Sequence, residues 1–193
     1  MFHVKHASFP LRNEEVSMDL MEGRSILERT PAILVAWLNC LPAAWLETSE
    51  GADAFSPRDV LGHLIHGERT DWIPRLRLLR EFGETRPFEA FDRVGFKDAI
   101  QGRAIGDLLD DFAGLRRENL GELDSFALGP ADLAKRGIHP ALGPVTAAQL
   151  LATWVTHDLN HLGQIARVMA RRQDEAVGPW KSDLAILQWK PRG

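Results

Sequence analysis

At 193 residues, with 45% hydrophobic and 26% charged residues, the chain is long enough to bury a sizeable core without disulfides or structural zinc, and it reads as one soluble domain. No apolar run approaches the length of a membrane span, and a formal charge of -4 with acids and bases interspersed leaves no basic stripe for phosphates, so neither a membrane nor nucleic acid is an expected partner. The start, Met1-Phe2-His3-Val4-Lys5-His6, lacks the apolar stretch of a secretory signal, and the single Cys40 cannot form an internal disulfide, which predicts a cytoplasmic protein.

Residues 1–16 have no period and read as an arm, followed by a short helix over 18–29. Thr30-Pro31 has the form of an N-cap with proline at the first helical position, so a first main helix is expected over 31–41, with Ile33, Leu34, Trp37, Leu38 and Leu41 inward and Cys40 as a small core residue. Ser56-Pro57 repeats that start and opens a second main helix over 57–80, with Leu61, Leu64, Ile65, Trp72, Leu76 and Leu79 on its apolar face. Pro74 predicts a kink near 70–74. Gly67 leaves room beside His63, and Glu68 falls within the apolar face, as a paired buried carboxylate or as a sign of a different helix phase.

The stretch 83–103 has no sustained period and reads as a long crossover with short helical turns. A third main helix follows over 104–121, with Ile105, Leu108, Leu109, Phe112, Leu115 and Leu120 toward the core and charged residues opposite. The breakers Gly129-Pro130 and those within 137–144 make 127–145 a structured loop that holds His139. The last long helix opens on a Thr146–Gln149 capping box and runs to about Arg172. Its wheel puts Thr153, Thr156, Asn160, Gln164, Arg167 and Arg171 on a polar face and Leu151, Val155, Leu162, Ala166 and Met169 on an apolar one. Gly178-Pro179-Trp180 then turns the chain into a short terminal segment. The expected divisions are an arm with a short helix over 1–29, a helical bundle over 30–187 and a tail over 188–193, so the fold class is all-α.

Chemistry concentrates in the last long helix. His157 and His161 are four residues apart, about 40° apart on the wheel and one turn along the axis, so their imidazoles can converge on one ion. They share a stripe with Leu150, Trp154, Ile165 and Val168 at the edge of the buried arc, where Trp154 and Ile165 would form a cavity wall. Asp158 projects further inward, as a buried carboxylate that could orient an imidazole or indole. A zincin protease is not expected, because Asp158 stands where the general-base Glu of H-E-x-x-H belongs and no downstream ligand pattern follows. His63 on the second helix can supply a third nitrogen inside a bundle, with His66 about 60° further round the wheel as the alternative. Three neutral imidazoles with open positions form a catalytic type of site suited to zinc or nickel, with iron or manganese as further candidates. His3, His6 and His139 have no partner at metal spacing and read as surface or loop residues.

The helix start Ser56-Pro57-Arg58-Asp59-Val60-Leu61-Gly62-His63-Leu64, the motif His157-Asp158-Leu159-Asn160-His161-Leu162-Gly163-Gln164-Ile165 and the ending Gly178-Pro179-Trp180 together resemble the DinB-like (YfiT-like) superfamily of proposed metal-dependent enzymes over about residues 30–187. The resemblance implies a four-helix bundle with a long crossover after the second helix, short extra terminal helices, and frequent homodimers. It also implies one ligand on the second helix and two on the last, hence His63, His157 and His161, with His66 as a neighbour. Members of known activity include thiol-dependent transferases and isomerases that use low-molecular-weight thiols, so the resemblance makes thiol transfer to a small electrophile the expected reaction. The thiol would be a cosubstrate, with Arg167 or Arg69 binding its carboxylates. A non-catalytic, stress-related metal- or ligand-binding bundle and a metal-dependent hydrolase are the alternatives.

Overall fold

The computed structural model describes residues 20–51 and 54–189. The expected arm over 1–16 and residues 190–193 of the expected tail lie outside them. The first helix departs from expectation in an instructive way. Residues Leu20–Leu38 form one continuous helix, α1, with Pro31 inside it, where Thr30-Pro31 predicts a fresh start, so the bundle begins ten residues before the expected boundary at 30. Thr30 is not a cap; it is buried and its hydroxyl donates to the Ile26 carbonyl at 3.3 Å. Pro31 has no N–H, which removes the normal helical donor to the Leu27 carbonyl. Arg116 fills that vacancy from another helix, its Nη1 donating to Leu27 O at 2.7 Å. The helix phase that follows buries Leu27, Leu34 and Leu38 but turns Ile33 outward, 44% exposed. Cys40, expected in the core, is instead exposed in the turn after α1, at a φ of 58°.

The remaining elements are α2 (Ala43–Leu46), α3 (Pro57–Thr70), α4 (Trp72–Phe82), a 3₁₀ turn (Gly83–Thr85), α5 (Lys97–Ile100), α6 (Ile105–Ser125), α7 (Pro130–Leu133), β1 (Arg136–His139), β2 (Gly143–Thr146), α8 (Ala147–Arg171), a second 3₁₀ turn (Gly178–Asp183) and α9 (Ala185–Gln188). Ser56 and Asp59 close a capping box at the start of α3. The expected break near 70–74 falls at Asp71, and Pro74 sits in the first turn of α4, where a missing N–H costs little. The bundle consists of α1, the α3–α4 pair, α6 and α8, with α1 against α6 and α8, α3 against both, and α4 against α8. The expected loop over 127–145 is more ordered than its glycines and prolines suggest: α7 is followed by an antiparallel hairpin pairing Arg136 with Thr146 and His139 with Gly143. Backbone of the crossover extends that hairpin, Phe88 N–H donating to Ile138 O at 2.8 Å.

Two glycines on α3 set how closely its neighbours approach. A Cβ on Gly62 would lie 2.6 Å from Phe96 and 2.8 Å from Ile100, so only glycine lets α5 and the end of the crossover pack over the helix beside His63. Gly67 makes room for the Trp72 indole, whose Nε1 would lie 3.3 Å from an added Cβ, rather than for His63.

The true inward stripe of α8 is the one carrying the histidines. Leu150, Trp154, Asp158, His161, Ile165 and Val168 are buried, whereas Val155, Leu162 and Ala166, expected at the centre of the apolar arc, are only half-buried. Asp158 is fully buried and meets Arg116 of α6, 1% exposed, rather than an imidazole or indole. Arg116 donates to Asp158 at 2.6 and 3.0 Å and to Glu68 at 2.8 Å. Glu68 in turn accepts from Trp154 Nε1 at 3.0 Å and Asn119 Nδ2 at 2.9 Å. This settles the position of Glu68 as a paired buried carboxylate. Burial works against the Arg116 charge, but the carboxylates of Glu68 and Asp158 outweigh it and its pKa is raised, so the guanidinium stays charged.

Candidate metal centre

One turn of α8 above this network, His157 and His161 face His63 of α3. The Nε2 atom of His157 lies 3.0 Å from Nε2 of His63 and 3.1 Å from Nε2 of His161, and the three rings offer nitrogens that all fall within 4.8 Å of one another. His66 is not part of this cluster; its half-buried ring packs on Phe91 at 5.1 Å. His63 is enclosed by Phe55, Phe91 and Phe96, with ring centroids 5.6, 5.3 and 6.1 Å away. Trp72 packs edge-on to His157 at 5.0 Å and stacks on Trp154 at 5.9 Å. Trp154 thus supports the site from behind, and Trp154 and Ile165, expected as cavity wall, are both fully buried in the core.

The proton count makes this cluster unlike an ordinary hydrogen-bonded group. His161 Nδ1 lies 2.8 Å from Gln164 Oε1, an acceptor, so the ring proton belongs on Nδ1 and the Nε2 lone pair points at His157. His157 Nε2 has one site and two neighbouring ring nitrogens, and at most one N–H can lie between each pair. The Nδ1 atoms of His63 and His157 are buried without a hydrogen bond of normal geometry. Burial, the neighbouring His161 and Arg93 push the His63 pKa down to about 3, with the Arg93 backbone opposing weakly. Burial, His161, His63 and Arg116 push His157 down to about 2. Burial also lowers His161, against the pull of Gln164 and Asp158. All three rings are therefore neutral at physiological pH, which is the form that ligates metals.

These distances suit a divalent ion. Nitrogens bound at about 2.0–2.1 Å stand about 3.0 Å apart on the face of an octahedron and about 3.3 Å apart on a tetrahedron. Three imidazoles leave at least one position open. The three histidines line a cavity of about 1330 Å³. The face of α8 expected to meet solvent supplies part of its floor through Thr153, Asn160 and Gln164. Arg167 also lines it but is buried and tied to Glu50 at 2.9 Å, and Arg69 is paired with Asp111 away from the cavity, so neither is the free carboxylate binder expected. Asp71, Arg93 and His139 line the cavity as well, although His139 was expected in a surface loop; His3 and His6 lie outside the described residues. Sequence periodicity missed these three because each is placed by a break, a crossover or a hairpin rather than by a helix face.

A family model described as the DinB superfamily matches residues 26–165. Among solved structures the chain is similar to YfiT from Bacillus subtilis, described as a probable metal-dependent hydrolase with an unusual four-helix bundle topology. The TM-score is 0.70 at 19% identity, covering 86% of this chain and 95% of that one, a likeness of fold. No curated protein matches the chain in sequence.

Proposed function

The chain belongs to the DinB superfamily, and from that premise we propose that it is a divalent-metal-dependent enzyme whose ligands are His63, His157 and His161. The observation that carries this reading is the meeting of three neutral imidazole nitrogens, 3.0 and 3.1 Å apart in sequence of contact, at the edge of a cavity. A bound ion, zinc or nickel before iron or manganese, would supply Lewis acidity toward an oxygen or sulfur of the substrate. The protein's part is positional. Gln164 fixes the tautomer of His161, Trp72 and Trp154 brace His157, and Phe55, Phe91 and Phe96 hold the His63 ring in place.

The proposed reaction is transfer of a low-molecular-weight thiol to a small electrophile. The cavity exceeds the roughly 300–1,000 Å³ of a pocket for one drug-sized ligand, which favours a site for two reactants. Cys40 does not line it, so the thiol would come from a cosubstrate. Hydrolysis is the second reading, favoured by the description of YfiT. Zinc- or nickel-loaded protein incubated with a panel of small thiols and a chromogenic electrophile should give metal-dependent conjugation that His63→Ala abolishes and His66→Ala leaves within about threefold. Turnover of esters or amides without any thiol would select hydrolysis. Tight metal binding with neither activity would leave a non-catalytic metal-binding bundle. A homodimer belongs to the same proposal and is checked by light scattering.

A further inference from the structure

The cavity continues well past the imidazoles. The α3–α4 pair runs antiparallel to α8, so that His63 meets His161 while Trp72 stacks on Trp154. The α8 wall extends from Arg171 to Gln149, about 33 Å of helix, and its Gln149 end lies about 12–18 Å beyond the histidines. Beyond Trp72, the break between α3 and α4 and the β1–β2 turn bring Asp71, Arg75 and His139 to this second part of the cavity.

Each of the three is held differently. Arg75 is held from three sides: its Nε is 2.5 Å from Asp71 Oδ1, its Nη2 donates to Glu89 O at 3.1 Å and its guanidinium lies 5.4 Å from the Phe88 ring centre. His139 Nδ1 accepts the backbone N–H groups of Ala141 and Leu142 at 3.1 and 3.2 Å, which leaves its proton on Nε2, a donor with no acceptor among the described residues. Asp71 is 7% exposed, and among the described residues Arg75 is its only side-chain partner, off the line of a proper hydrogen bond at Oδ1. A buried carboxylate ordinarily accepts several well-aligned donors. Here the accepting capacity is left over, beside the apolar surface of Trp72, Phe88 and Leu150.

We propose that Asp71 and His139, with Arg75 as a fixed counter-ion, form a second subsite that binds a hydrogen-bond-donating group, an ammonium or a hydroxyl, on the end of the substrate remote from the reacting atom. The proposal rests on the reading of this cavity as a substrate site. The carboxylate of Asp71 is the acceptor, the Nε2–H of His139 serves the lone pair of a hydroxyl, and the aromatic and aliphatic walls take the chain between the two ends. Burial pushes the Asp71 pKa up to about 6 against the pull of Arg75, so at pH 7.5 the carboxylate is charged and an ammonium is preferred over a hydroxyl.

The test uses straight six-carbon probes. Metal-free protein is titrated by calorimetry with chains ending in ammonium, hydroxyl, methyl or carboxylate, and zinc-loaded protein with the same chains bearing a thiol at the other end. In the wild type, ammonium and hydroxyl chains should bind at least tenfold tighter than the methyl chain, with carboxylate weakest. Asp71→Asn should remove the ammonium preference and His139→Ala should reduce the hydroxyl preference, each leaving the methyl chain within twofold. Equal affinity for all four ends in the wild type, or no binding to metal-free protein, overturns the subsite, and neither outcome depends on a variant folding. The preference persisting in metal-free protein while the thiol adds nothing to zinc-loaded protein supports the subsite and counts against thiol transfer alone.

Discussion

Two buried polar clusters occupy neighbouring turns of the same bundle, and their hydrogen-bond accounts differ. Around Arg116, four of five guanidinium N–H groups are engaged by Leu27 O, Glu68 and Asp158, with only Nε unpaired. Both carboxylates are satisfied, and four helices are tied together. Around His157, three ring nitrogens face one another with too few protons between them, and the Nδ1 atoms of His63 and His157 have no hydrogen bond of normal geometry. A closed cluster specifies a fold, whereas a cluster with lone pairs left over specifies a ligand. The distinction comes from counting donors and acceptors, and burial alone would not reveal it.

The comparison is broken most forcefully at Arg116. Arg116→Met strands two buried carboxylates and the Leu27 carbonyl, and should cost about 3–5 kcal/mol in urea unfolding; a loss below about 1 kcal/mol would mean the network is not closed. His157→Ala should behave in the opposite way. It should weaken zinc binding at least a hundredfold, since the ring is central to the cluster, yet change the stability of the metal-free protein by about 1 kcal/mol or less, because no satisfied bond is lost.

Acid sharpens the contrast. The folded imidazoles of His63 and His157 are depressed to about 3 and about 2, so protons do not compete for these two rings between pH 7 and 5, and burial lowers His161 as well. Zinc affinity of the folded protein should change by less than the roughly 25-fold that one ordinary imidazole would cost over that range, where three ordinary imidazoles would lose about 10⁴-fold. The unfolded chain does bind protons there, with pKa about 6.5. Stability of the metal-free protein should therefore fall as pH drops below about 6.5 toward 3, by at most about 1.4 kcal/mol per pH unit for each ring. The smallest effect is at Pro31. Pro31→Ala should stabilise by less than the roughly 3 kcal/mol an interior proline costs, because Arg116 already satisfies the carbonyl that proline leaves open.

Much of this was legible in the sequence, for identifiable reasons. The His157/His161 spacing, the Ser56–Asp59 and Thr146–Gln149 capping boxes and the break before Pro74 are local, and local chemistry survives folding. Arg116 was hidden because a charged residue is ordinarily assigned to the solvent face. Its signal was nonetheless present: it follows Leu108 and Phe112 at four-residue steps and precedes Leu120, and two carboxylates, Glu68 and Asp158, sat on apolar faces without a cation. Pro31 misled for the same reason, since the bond that makes it tolerable comes from 85 residues further along the chain. Asp71 and His139 reach the cavity through a helix break and a hairpin, tertiary placements that periodicity does not encode.

The central claim is that the open cluster is a three-imidazole ligand set. X-ray absorption at the metal edge of zinc-loaded protein measures this directly. Three nitrogens at about 2.0–2.1 Å with imidazole outer-shell scattering and at least one oxygen is the predicted result, falling to two imidazoles in His63→Ala. Coordination by oxygens alone, or a spectrum that His63→Ala and His161→Ala leave unchanged, would contradict it.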